Sequence, residues 1–238
     1  MDNKKGSLYL IPTTLGDNEP MEVLPVLVKE VIEKLDYFIV ENEKTARKFI
    51  KRITPVKSQP ALTIYSIDKY ADKLEVSTYL DICANGVSVG LLSEAGVPAI
   101  ADPGAEIVKM AHQKNIRVIP LVGPSSIILA MMASGFNGQN FAFNGYLPIE
   151  ASERKDAIKS LEKLSKDKNQ SQIFIETPYR NEKLFIDLKS TLNPVTKLCI
   201  ACDITLATEY IRTLQVKDWK NEHPDLQKRP AIFIIHKE

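Results

Sequence analysis

The chain has 238 residues, 44% of them hydrophobic, with a formal net charge of +1 and a sequence pI near 7.6. That length supports one large domain or two small ones around a real core, and the near-neutral balance removes any global electrostatic argument for or against nucleic acid. No apolar run approaches the roughly 18 residues of a membrane span, and Pro12 stops the run Leu8–Ile11 too early for a signal peptide, so a soluble cytoplasmic protein is expected.

In chain order, Ser7–Ile11 reads as a strand that empties into the loop Pro12–Asp17, and Pro25–Leu35 spaces its apolar residues as a helix does. Tyr37–Val40 is a buried strand. Lys44–Ile53 is a helix with Ala46, Phe49, Ile50 and Ile53 on its core side. A strand at Leu62–Ile67, a helix at Lys73–Ala84 and a strand at Val87–Leu92 follow. Then come a helix at Ala105–Gln113 and a strand at Arg117–Val122. Strand–helix alternation of this kind predicts a parallel sheet covered by helices.

The second half changes character. Ser125–Ser134 is a strongly apolar helix with Gly135 as its stop. Gly135–Pro148 holds a strand, Glu153–Leu164 is a charged amphipathic helix, and Lys166–Gln170 is a polar turn. Gln172–Glu176 and Leu198–Asp203 are strands around a helix at Asn181–Thr191, and Ala231–His236 is the last strand. The economical division is an N-terminal α/β lobe with a parallel sheet at 1–121 and a C-terminal α/β lobe with a mixed sheet at 122–238. Cys199 and Cys202 form a C-x-x-C inside a strand. Residues three apart on a strand point to opposite faces, so no metal site is expected there.

Chemistry is signalled by loops. Leu91–Gly104 (LLSEAGVPAIADPG) and Val122–Ser126 (VGPSS) each follow a buried strand and lead into a helix, where open α/β sheets hold ligands. A G-x-G-x-x-G after the first strand, a G-x-x-x-x-G-K-[ST], an H-E-x-x-H and a G-x-S-x-G are all missing. The common dehydrogenase, nucleotide-hydrolase, metalloprotease and serine-hydrolase readings therefore lose their support.

The ordered set LYLIPT (8–13 within the first strand and its loop), SEAGVPAIADPG, PLVGPSS, ASG near Gly135, FAFNGYLP at Phe141–Pro148 and IETPYR at Ile175–Arg180 resembles the tetrapyrrole methylase superfamily of S-adenosylmethionine methyltransferases. Within it the likeness is greatest to the ribosomal RNA small subunit methyltransferase I group, in a short form without its C-terminal extension. The resemblance implies two α/β lobes with a cofactor cleft between them, usually in a homodimer, and S-adenosylmethionine as cofactor. By position it assigns Leu15, Gly96, Val97, Pro98, Ile100, Ser125, Ser126, Ile175 and Ala231 to the cofactor. The chain departs from the group at Glu94, at Val97, at Glu41–Lys44 and at Asp203–Leu206.

The implied function is methyl transfer to ribosomal RNA, at a ribose 2′-hydroxyl. A tetrapyrrole (porphyrin or corrin) precursor as acceptor, or a non-catalytic ligand-binding member, are the rival readings. In-line transfer needs collinear atoms in a dry cleft more than a covalent residue. No catalytic residue is fixed by the sequence; Glu41, Glu94 and Glu176 are candidates to orient a hydroxyl or take its proton, and Asp102 fits a helix cap better. Lys44, Arg47, Lys48 and Lys51, with Arg52, form one stripe on a helix. It suits RNA phosphates and equally suits a solvated surface. Arg180 suits either a substrate phosphate or a neighbouring carboxylate.

Overall fold

The computed structural model describes residues 5–67 and 73–238. The chain divides into two compact units, Met1–Ser125 and Ser126–Glu238. In unit 1, β1 (Ser7–Ile11), α1 (Pro20–Val23), α2 (Val26–Lys34), β2 (Tyr37–Val40) and α3 (Glu43–Ile53) are followed by β3 (Thr63–Ser66) and α4 (Lys73–Val76). β4 (Val89–Leu92), α5 (Ala105–Gln113) and β5 (Arg117–Pro120) complete it.

The five strands lie in the order β3-β2-β4-β1-β5, and every neighbouring pair is parallel. A parallel sheet is covered on both faces, which is why β4 is buried along its whole length. Its side chains alternate between two cores. Leu92 joins Ile11, Phe38 and Val40 against α2 and α3, while Leu91 joins Leu8 and Ile39 against Ile107 and Ala111 of α5.

α3 shows how local chemistry sets an element. Asn42 caps it, its side-chain oxygen accepting from the N–H groups of Lys44 (2.9 Å) and Thr45 (3.3 Å). Ala46, Ile50 and Ile53 make the buried face. The helix stops at Thr54, whose hydroxyl donates back to the Ile50 carbonyl at 2.7 Å, with Pro55 next. Ile50 is fully buried, so Ile50→Ala costs about 2–5 kcal/mol.

Unit 2 contains α6 (Ser126–Ser134), β6 (Phe141–Tyr146), α7 (Ala151–Lys168), β7 (Ser171–Ile175), α8 (Asn181–Thr191), β8 (Lys197–Cys202), β9 (Tyr210–Gln215) and β10 (Ala231–His236). Its sheet order is β6-β7-β10-β8-β9. β6 and β7 are parallel and the other pairs antiparallel. One core cluster includes Phe174, Phe185, Trp219 and Phe233. Trp219 is fully buried and its indole N–H donates to the Leu198 carbonyl at 3.2 Å. Arg154 of α7 clamps Asp187 of α8 through Nε (2.8 Å) and Nη2 (2.6 Å).

Several expectations are corrected. The helix expected over Lys73–Ala84 is one turn, α4, followed by a 3₁₀ turn at Asp81–Asn85. The Ser77 and Thr78 hydroxyls donate to the carbonyls of Leu74 and Glu75 and so compete with helix continuation. The polar turn expected at Lys166–Gln170 is instead the end of α7, closed by Asn169 at φ 46°. β9 was absent from the reading of the sequence. Cys199 and Cys202 lie on opposite faces of β8, Cys202 in the core cluster with Leu198 and Ile200. Burial pushes both thiols up to about 11. Among the described residues no helix is long and apolar enough to cross a membrane.

Candidate active site

In unit 1 the carboxyl ends of β2, β4, β1 and β5 lie side by side along one sheet edge. The chain leaving β1 turns to α2 on one face, whereas the chain leaving β4 turns to α5 on the other. Adjacent strands whose connections part to opposite faces open a crevice at their ends, and ligands of open α/β sheets bind there.

Three loops close on Gly96 at that point. The Thr13 N–H donates to the Gly96 carbonyl at 2.9 Å, and the Ser93 hydroxyl donates to the same oxygen at 2.8 Å. Gly96 has φ +75°, and a Cβ there would lie 2.9 Å from Leu15 Cδ2 and 3.0 Å from the Pro124 carbonyl oxygen. No side chain fits without moving the loops after β1 and β5. Gly123 is pressed against Pro12 in the same way, with a Cβ falling 2.2 Å from the Pro12 Cβ.

The loop after β4 is strained as well as tight. Ala99 (φ 67°) and Ala101 (φ 62°) sit in the left-handed region, at a cost of about 1–2 kcal/mol each. Asp102 offsets this, its Oδ1 accepting from the N–H groups of Ala99 (2.7 Å) and Gly104 (2.9 Å). The expected helix cap at Asp102 is thereby corrected. α5 starts at Ala105 with Gly104 as its cap residue, and Asp102 ties the loop instead.

Of the residues assigned to the cofactor, Leu15, Gly96, Val97, Pro98, Ile100 and Ser125 are in unit 1. Gly96 and Pro98 are buried, Leu15, Val97 and Ser125 half-buried. Ile100 is 55% exposed, an apolar side chain at the loop crest with surface left to cover. Ser126, Ile175 and Ala231 belong to unit 2. Ile175 ends β7, Ala231 opens β10, and the pairing of Ile175 with Ile232 brings these two to the same end of the sheet.

Glu41 and Glu94 leave the ends of β2 and β4 as neighbours. The Glu94 N–H donates to Glu41 Oε1 at 3.3 Å, and the Thr45 hydroxyl donates to Glu94 Oε1 at 2.5 Å. Burial, helped by the charges of Asp102 and Glu94, raises the Glu41 carboxyl above its ordinary value. Burial also raises Asp102. Glu176 belongs to unit 2 and is buried, with Oε1 taken by the Thr177 N–H and Arg180 Nη2, each at 2.6 Å. Arg180 is thus paired with a carboxylate of its own chain.

The basic stripe divides in two. Arg47 pairs with Glu43 (2.7 Å) and donates to the Gln59 carbonyl (2.7 Å), and Arg52 forks onto Asp17 (2.6 Å) and Glu19 (2.8 Å). Lys44, Lys48 and Lys51 are exposed and make no ion pair among the described residues. Thr45 and the Asn42 cap escaped the sequence reading. An Asn directly before the apolar-periodic helix at Lys44–Ile53 was the available signal.

The fold defines a class, a two-sheet α/β protein whose parallel sheet ends in the kind of strand-order switch point where open α/β sheets bind ligands. The structure resembles the crystal structure of the methyltransferase CobJ with a TM-score of 0.64 at 14% identity, covering 98% of this chain and 94% of that one, a likeness in fold. No family model matches the chain. It is 30% identical over 236 residues to a ribosomal RNA small subunit methyltransferase I of Buchnera aphidicola subsp. Schizaphis graminum, covering 98% of this chain and 79% of that protein. It is 25% identical over 232 residues to the protein of that name from Vibrio cholerae serotype O1, covering 96% and 76%.

The chain belongs to the ribosomal RNA small subunit methyltransferase I family. It is an enzyme, a methyltransferase with S-adenosylmethionine as methyl donor.

Proposed function

We propose that the chain methylates ribosomal RNA of the small subunit at a ribose 2′-hydroxyl. The observation that carries this reading is the closure of three loops on Gly96, a backbone cradle that a single Cβ would fill, in a chain of this family. The donor set suits an S-adenosylmethionine site, with apolar walls at Leu15, Val97, Pro98 and Ile100 and backbone polar groups around Gly96. Ser125 serves there with them.

Bound S-adenosylmethionine supplies an electrophilic methyl group on a sulfonium. The chain's own work is to hold the acceptor oxygen in line and to dispose of its proton. Glu41 would take the proton of the acceptor hydroxyl, and its raised carboxyl is the better base for it. Glu94, held by Thr45, keeps Glu41 in place through its N–H. Lys44, Lys48 and Lys51 meet RNA phosphates, with Arg47 at the margin of that face and Arg180 as a further phosphate contact. The enzyme works in the cytoplasm, and as a homodimer whose contact covers the exposed apolar Met132 (74%) on α6, which sedimentation checks.

The deciding experiment is transfer of labelled methyl from S-adenosylmethionine to small-subunit RNA, followed by alkaline hydrolysis. A 2′-O-methyl group blocks cleavage of the adjacent phosphodiester, so label in an alkali-resistant dinucleotide is expected. Transfer to a porphyrin precursor with none to RNA would replace this acceptor by a tetrapyrrole. Binding of the cofactor without transfer to either would mark a ligand-binding member.

A further inference from the structure

β6 and β7 run parallel at the edge of the unit 2 sheet, so their carboxyl ends fall together. Tyr146 closes β6 directly opposite Ile175, after a register shift that begins past Phe143, where Gly145 takes φ +63°. Four residues beyond Ile175, Tyr179 sits in the turn after β7, a turn fixed by the Arg180 N–H on the Thr177 carbonyl at 2.9 Å.

Both rings are left in water, Tyr146 59% and Tyr179 80% exposed, with Ile149 70% exposed nearby. Aromatic side chains carry large apolar area and are ordinarily buried for it. Two exposed rings at adjacent strand ends make a surface that unpaired bases can stack on.

The polar groups beside the rings suit a phosphate. Arg180 uses Nη2 on Glu176 and its Nε is buried without a hydrogen-bond partner, so a phosphate is met by the rest of a guanidinium whose side chain is one third exposed. Lys183 is exposed and lines a cavity of about 50 Å³ with Ile149, Glu176 and Arg180, room for a water but not for a base. α8 begins at Asn181 with no side-chain cap on its first N–H groups. Nearby carboxylates are mostly committed. Glu176 pairs with Arg180, Asp187 with Arg154, and Glu150 caps α7. Glu153 and Glu182 make no ion pair among the described residues.

We propose that Tyr146 and Tyr179 form a stacking site for unpaired bases of single-stranded RNA, with the adjoining phosphate met by Lys183 and Arg180. The proposal rests on the RNA reading above and places part of the substrate contact on unit 2.

The test is fluorescence anisotropy with a labelled single-stranded oligoadenylate and an RNA duplex of equal length, on the full chain and on Tyr146→Ala and Tyr179→Ala. Both sites are exposed, and circular dichroism confirms that the variants are folded. Each variant is expected to weaken oligoadenylate binding about fivefold or more, to leave duplex binding and the salt dependence unchanged, and to regain affinity as the Trp variant. Lys183→Ala is expected to lower the salt slope by about 0.7.

Equal oligoadenylate affinity for parent and Tyr variants overturns the proposal. So does a loss confined to S-adenosylmethionine binding, or dissociation of an oligomer, which would make the surface a cofactor contact or a contact between copies. A parent that binds no RNA defeats the acceptor reading itself. Retained Tyr-variant affinity alongside losses at Lys48 and Lys51 defeats the stacking site alone.

Discussion

Glu41 combines a geometric role with an electrostatic cost. Burial raises its carboxyl, and the charges of Asp102 and Glu94 raise it further, so the folded chain holds that proton more tightly than the unfolded chain does. Between the ordinary glutamate value, about 4.3, and the raised one, the native state therefore binds more protons. Stability falls as pH climbs through that window, and the penalty is complete above it. Glu41→Gln keeps an oxygen to accept from the Glu94 N–H and discards the charge. It is expected to raise Tm at neutral pH, to leave Tm unchanged below pH about 4, and to abolish methyl transfer. Thermal melts across pH with a parallel transfer assay check both halves. An unaltered neutral Tm removes the buried-charge account, and surviving transfer removes Glu41 from the proton's path. Glu41 and Glu94 were legible as candidates because each follows a buried strand. That they are neighbours was not, since it depends on β2 and β4 pairing across β3 and α4 in sequence. Asp102 misled because Pro103 imitates a helix start, while the loop's two left-handed alanines claim its carboxylate.

At the scale of elements, long periodic segments were read well, and Ala105–Gln113 and Asn181–Thr191 coincide with α5 and α8. β9 was missed because YIRTLQ is a half-exposed edge strand whose polar side chains blur the alternation. α7 runs longer than expected because its last turn, Ser165 to Lys168, is polar and carries no apolar marker. α3 is the element whose function the sequence could only halve. Spacing gave the stripe, but only the fold shows Arg47 and Arg52 spent on Glu43, Asp17 and Glu19. Lys44, Lys48 and Lys51 make no ion pair among the described residues and are the proposed phosphate contacts. Lys48→Glu with Lys51→Glu is expected to weaken RNA binding and to reduce its salt slope by about 0.7–0.9 per lost contact, with cofactor affinity unaltered. Binding titrations at several salt concentrations decide it, and an unchanged slope would return the stripe to an ordinary solvated surface.

Each unit has buried clusters of its own among the described residues. We propose on that basis that the two units, like the division at 1–121 and 122–238 expected from sequence, are folding domains. The Arg154–Asp187 clamp offers a way to ask. Arg154 is 3% exposed at its side chain and Asp187 12%, so Asp187→Ala strands a buried guanidinium and costs about 3–5 kcal/mol. A penalty of that size is a large share of a domain's total stability. If stability is held unit by unit, amides of β7, β8 and β10 are expected to exchange hydrogen faster in the variant, while those of β1, β2 and β4 keep the parental rate. Ile50→Ala is expected to do the reverse. Site-resolved hydrogen exchange on both variants reads the outcome directly. Matched acceleration in both sheets would mean that the chain opens as one cooperative body. Confinement to one sheet would mean that the Gly96 cradle and the Tyr146–Tyr179 surface can be altered independently.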